Sequence, residues 1–314
     1  MLARVADNLF WMGRYIERTE HMARYLNVNY FSSLDAPDTR SQSRDFVLRS
    51  MLVMAGIPNS AQEKMKEQQV LFRIGMDPEN PISLLNAVRS ARENALSARD
   101  LISTELYEAI NKFYHYVMEY PSGSFVKTGL FDFTTHVTEM TAIIRAKIRG
   151  TLMHDSIYSI IMMGVNLERA IQITRIIQAK VLDAESSANE NPSAFRTSYE
   201  WTTLLKCAES YDMMRRLYKK QPSSLRTLEF LILNPNCPRS VMNSLNQVHR
   251  HICQLDPARI KDTNSSAFTA GKARAKYQFL RIEEIENDID GFLVQILSEL
   301  SEIGEQLEKE FFNY

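Results

Sequence analysis

The feature that most restricts how this chain can fold is a stretch that occurs twice. "FWMGRYIERTEHMARYLNVN" (10–29) aligns with "IMMGVNLERAIQITRIIQAK" (161–180) at an offset of 151, pairing Met12 with Met163, Gly13 with Gly164, Glu17 with Glu168, Arg18 with Arg169 and Arg24 with Arg175. A second block agrees. "MDPENPISLLNAV" (76–88) set against "LNPNCPRSVMNSL" (233–245) pairs Pro78 with Pro235, Pro81 with Pro238, Ser83 with Ser240 and Asn86 with Asn243 at an offset of 157. The small difference between the offsets is what an insertion in an intervening loop would leave. One duplication accounts for both blocks, with a boundary near residue 150 and halves of 1–150 and 151–314, and its period is too long for a solenoid.

Each half reads as helices. Val5, Leu9, Met12, Ile16, Ala23 and Leu26 recur at three- and four-residue steps, which predicts a long helix over residues 3–31 with a wide apolar face. The pattern continues through Asp45–Ala55 and Gln62–Ile74, and Asp77–Pro81 breaks it. Ser83 is placed to cap the helix through "LLNAVRSARENALSARDLI". Helices over 104–119 and 130–150 follow, separated by "YPSGS". The second half offers 156–184, 198–219, 223–233, 239–254 and a C-terminal pair after "DTNSSAF". Only ten glycines and ten prolines occur in 314 residues and no run alternates as a strand would, so the expected class is all-α: a helical bundle of two similar multi-helix halves.

Charge excludes some functions. The net charge of −1 provides no whole-chain field to draw in nucleic acid or an anionic membrane. The longest uncharged apolar segment near the middle, 156–167, falls short of the about 20 residues a spanning helix needs, and "MLARVADNL" lacks an export leader's apolar run. Neither a nucleic-acid nor a membrane partner is expected, and the chain reads as cytoplasmic. Cys207, Cys237 and Cys253 are odd in number without CxxC spacing, as reduced packing thiols would be. The six histidines form no HExxH or i,i+4 pair, and no phosphate loop occurs, so neither metal nor cofactor is implied. "HDS" at 154–156 reads as the cap of the next helix rather than a triad. Ten acids against Lys309 in 283–314 read as a solvated face.

The charges inside the repeated stretch need partners. At about 100° per residue, Gly13, Glu17 and Arg24 share one face while Arg18 points toward Trp11, Met22 and Tyr25. A glycine one turn before the glutamate allows a close approach by another backbone or a ligand. The pattern returns as Gly164, Glu168, Arg169 and Arg175, whereas Arg14 becomes Val165 and Arg92-Glu93 becomes His249-Arg250. Two readings follow. Glu17 and Glu168 fix helix register through buried ion pairs, or Arg14, Glu17, Arg18 and Arg24, with Arg92 and Glu93, line a pocket that grips an anionic or peptide-like ligand.

"LARVADNLFWMGRYIERTEHMARYL", "SARENALSARDLISTELYEAIN" and "MMGVNLERA" together resemble the bacterial Alpha-E family over the chain from residue 2 to its last helices, and map that family's namesake Glu-Arg step onto Glu17-Arg18 and Glu168-Arg169. The chain departs from the family pattern at Leu96 and Ile171. The resemblance implies a tandem helical domain, encoded beside or fused to a circularly permuted ATP-grasp protein, with a transglutaminase-like peptidase and an NTN-hydrolase nearby. That company implies peptide synthesis or modification. The leading expectation is a non-catalytic accessory or binding subunit of such a system. Its rivals are an all-helical enzyme, in which Arg14, Arg18 and Arg24 hold an anionic substrate while Glu17 acts as general acid or base, and a purely structural scaffold. A homo-oligomer is compatible with all three.

Overall fold

So few residues interrupt the apolar repeats that the described residues are almost all helical. The computed structural model describes residues 2–34, 44–57, 66–188 and 194–312. Its helices are α1 (Ala3–Leu34), α2 (Arg44–Ala55), α3 (Glu67–Gly75), α4 (Leu84–Ser97), α5 (Thr104–Glu119), α6 (Ser122–Lys127) and α7 (Leu130–Thr151), then α8 (Ser156–Ala188), α9 (Ala194–Cys207), α10 (Tyr211–Tyr218), α11 (Ser224–Ile232), α12 (Val241–Leu255), α13 (Ser266–Gln278) and α14 (Ile289–Leu307), which ends in a π turn over Glu308–Phe312. No strand occurs among the described residues, so the class is all-α.

Local chemistry sets the boundaries. Ser83 and Ser240 cap α4 and α12 by accepting from the amides of Asn86 and Asn243. Those asparagines reach back to the preceding loops, Asn86 Nδ2 to the Pro78 carbonyl and Asn243 Nδ2 to that of Pro235. Asp155 caps α8 by accepting from the Ile157 amide. One expected helix, 198–219, is instead two, because Glu209 takes a left-handed φ of 53° and ends α9. A short helix, α6, occupies part of the expected break at "YPSGS". Residues 62–65 of the expected Gln62–Ile74 helix lie outside the described residues.

The two longest helices form the axis of the molecule. Leu9, Met12, Ile16 and Leu26 of α1 are buried, and α8 is buried on all sides over 159–170, as an axial helix must be. Helix α1 packs against α4 and α7, with α5 bridging those two. Helix α8 packs against α12 and α14, with α13 bridging them. Where α1 meets α8 there is room for glycine only: a methyl group on Gly13 would lie 2.5 Å from the Ile161 carbonyl oxygen, and one on Gly164 would strike the Phe10 carbonyl. The backbones therefore touch at the two glycines that the repeat pairs, with the roles of the helices exchanged.

Candidate functional site

One turn beyond that crossing, the two Glu-Arg steps bond each other. Arg169 donates from Nε and Nη2 to the carboxylate of Glu17, at 2.6 and 3.0 Å. Arg18 donates from Nε and Nη2 to Glu168, at 2.6 and 3.2 Å. Each is a bidentate fork on a carboxylate with no solvent exposure. The reciprocity extends a turn further, where His21 Nε2 lies 3.1 Å from Glu17 and Gln172 Nε2 donates to Glu168 at 2.8 Å. Every contact recurs with the helices exchanged and the numbers shifted by 151, which is local twofold symmetry between α1 and α8.

Burial alone would raise both carboxyl groups, but guanidinium charge outweighs it. Arg169, His21 and Arg239 hold Glu17 well below the ordinary carboxylate range, and Arg18, Arg14 and Gln172 do the same for Glu168. The His21 ring is driven down to about 4 by burial, against the pull of Glu17, so at neutral pH it is uncharged and donates from Nε2. Both carboxylates are ionised and their oxygens accept bonds from several donors, so neither carries a proton to give at neutral pH.

Around that symmetric centre the surroundings differ. Glu17 sits at the buried end of a network that reaches solvent at Glu209, in which Arg239 donates to Glu17 at 3.1 Å and to Glu20 at 2.7 Å, and also contacts Glu209. Arg24 pairs with Glu20 and, at 3.0 Å, with Glu209, while Arg145 from α7 pairs with Glu20. Burial and the neighbouring Arg239 lower the Arg24 guanidinium to about 10, and burial brings Arg145 to a similar value. At the shifted positions Glu20 becomes Ile171 and Arg239 aligns with Ile82, so nothing closes a second network.

Glu168 instead lies behind an open recess of about 270 Å³ bounded by α1, α8 and α14. Arg14 Nε joins Arg18 on Glu168, at 2.8 Å, and its guanidinium lies over the Trp11 ring, 4.4 Å from the centroid. Arg175 lines the same recess. Burial, with Arg18 and Arg14 nearby, lowers its guanidinium although Glu168 pulls the other way, and no ion pair or hydrogen bond reaches Arg175 among the described residues. Two arginines thus bond one buried carboxylate, and a third lines the same recess without bonding it.

The candidate residues separate accordingly. Glu17, Arg24 and Arg169 belong to the network around Arg239, whereas Arg14, Arg18 and Arg175 line the recess with Glu168 behind them, each set drawing on both α1 and α8. Arg92 and Glu93 join neither. They pair with each other on α4, where Arg92 also lies over Tyr114, so no common pocket gathers the first-half residues. Arg145, Arg239 and Glu209 complete the network without a sequence signal, since Arg239 has an isoleucine as its aligned counterpart. Among the described residues no group of His, Cys, Asp or Glu could hold a metal ion, and no described helix is long and apolar enough to cross a membrane.

Three relatives, one from Mycobacterium bovis and two from strains of Mycobacterium tuberculosis, each an uncharacterized protein, are 24% identical to this chain over 269 residues. The match covers 80% of the chain but 30% of each relative, so the chain spans about a third of their length. No solved structure matches it. The model of the Alpha-E family, described as a predicted alpha-helical domain with a conserved ER motif, matches residues 1–312. Its namesake Glu-Arg step is the one that α1 and α8 exchange, and the chain belongs to the Alpha-E family.

Proposed function

We propose that this Alpha-E chain is a tandem duplication, 1–150 and 151–314, that serves in the cytoplasm as a non-catalytic helical subunit. It binds a partner enzyme or its peptide-like substrate in a peptide synthesis or modification system, with a circularly permuted ATP-grasp protein, a transglutaminase-like peptidase and an NTN-hydrolase as the company the family resemblance implies. The observation that supports a binding role over a chemical one is the state of the two glutamates. A general acid or base works best with a pKa near the operating pH and within reach of substrate. Glu17 and Glu168 are held far from that by arginines, and Glu17 is wholly buried and does not line the recess in front of Glu168. The greater length of the mycobacterial relatives is in keeping with a helical unit that works joined to other domains.

The test is co-purification of the tagged chain with the ATP-grasp protein, followed by assay of that protein's activity with and without the chain. A stoichiometric complex with altered activity supports the accessory role. Failure to bind, with no change in activity, leaves the scaffold reading, in which the ion pairs hold the bundle together and nothing else.

A further inference from the structure

The recess in front of Glu168 is polarised along its length. On α1 its lining residues fall at Asp7, Trp11, Arg14 and Arg18, successive positions of one helical stripe. Asp7 lies near Glu308 at the end of α14, Arg14, Arg18 and Arg175 lie close to one another further along α1 and α8, and Glu305 of α14 also lines the recess. Between them the walls are apolar, with Phe10, Trp11 and Phe312 on one side and Leu297 and Leu300 on another. No acid of the first group is ion-paired to an arginine of the second among the described residues, and burial together with the neighbouring Glu308 raises the Asp7 carboxyl although a hydrogen bond with Trp11 pulls the other way. At 1.5 Å per residue, Asp7 and Arg14 are about 10 Å apart along α1, which is the span of about three extended residues.

We infer that this recess is a binding site for a short zwitterionic peptide of about three residues. The peptide's carboxylate is held by Arg14, Arg18 and Arg175, its ammonium group faces Asp7, Glu305 and Glu308, and an apolar middle side chain rests on Trp11. Glu168 fixes one edge of Arg14 and of Arg18, so two of the three guanidinium groups are pre-oriented and lose little freedom on binding. Arg175 has no such support and supplies charge that the protein itself leaves unmatched. A free inorganic anion would satisfy the arginine end alone and would be indifferent to the acids. The site stands independently of any partner enzyme.

The experiment is calorimetric titration of the full chain with alanyl-phenylalanyl-alanine in three forms, free at both ends, amidated at the C-terminus and acetylated at the N-terminus, with inorganic phosphate as the comparison. Saturable binding of the free peptide is expected, weakened roughly tenfold by amidation and less by acetylation. Arg175→Gln should weaken the free peptide roughly tenfold without changing the melting temperature, since no internal bond is lost. Asp7→Asn should weaken the free peptide and leave the acetylated one unaffected. Absence of saturable binding by the wild-type chain, equal binding of all three forms, or phosphate binding as tightly as the free peptide would each overturn the site.

Discussion

Glu17 shows what a buried charge demands of its neighbours. It is wholly enclosed and accepts bonds from Arg169 and Arg239 and a contact from His21. Removing the charge leaves those arginines uncompensated, and breaking such a pair costs about 3–5 kcal/mol. Glu17→Gln should therefore lower stability by about that amount in urea unfolding, whereas an unchanged midpoint would mean the network is not held by this carboxylate. His21 sets the pH response. Its ring falls from 6.5 to about 4 on folding, because burial opposes its charge. The unfolded chain thus binds a proton that the folded one refuses. Stability is complete above about 6.5 and declines as pH falls toward 4, by about 3 kcal/mol from this ring, with the carboxylates adding to the loss at lower pH. The shifted position holds Gln172, bonded to its glutamate in the same way, so His21→Gln should fold and flatten the decline between pH 6.5 and 4. Melting curves across that range test it, although His251, also lowered to about 4 by burial, will leave part of the slope.

At the scale of elements, the crossing of α1 and α8 rests on two glycines that a helix would otherwise disfavour by about 1 kcal/mol each. They are present because the backbone of the other helix occupies the space a side chain would need. Gly164→Ala would force the helices apart against the Phe10 carbonyl, and overpacking of this kind costs about 1–3 kcal/mol, beyond what improved helix propensity returns. Gly150, near the end of α7, meets nothing within 4 Å. Gly150→Ala should be neutral or stabilising by up to about 1 kcal/mol. Urea midpoints of the two variants should move in opposite senses or differ by at least the cost at the crossing, and equal midpoints would remove the close approach as the reason for Gly164.

The molecule as a whole is tied together across its middle. Glu17 and Glu20 on α1 take partners from α8 and from the turn before α12, and Arg18 takes its partner from α8. Cutting the exposed turn at Met153, which is 80% exposed, should give fragments 1–153 and 154–314 that do not fold separately but form a 1:1 complex when co-expressed. Circular dichroism and size-exclusion chromatography of each fragment alone and of the pair check this. Cooperative unfolding of 1–153 by itself would show that the cross-helix ion pairs are dispensable.

The helical class, most helix limits and the Ser83 cap were legible in the sequence, because apolar periodicity and capping are local properties that act within a few residues. The pairing of Gly13 with Gly164 and of the two Glu-Arg steps was legible too, as an alignment, though not as a contact. What only the tertiary structure decided is which arginine answers which glutamate. Sequence spacing places Glu17 and Arg24 on one face but cannot tell that Arg18 crosses to Glu168, that Arg239 arrives on one side, or that Ile171 and Ile82 leave the other side open. Arg92 and Glu93 looked like members of the same polar set and are not, since a charge pair that bonds to itself has no need of a distant partner. Electrostatic partnership depends on distance and burial, which are set by packing between helices far apart in the chain, whereas helix formation depends on neighbours along it.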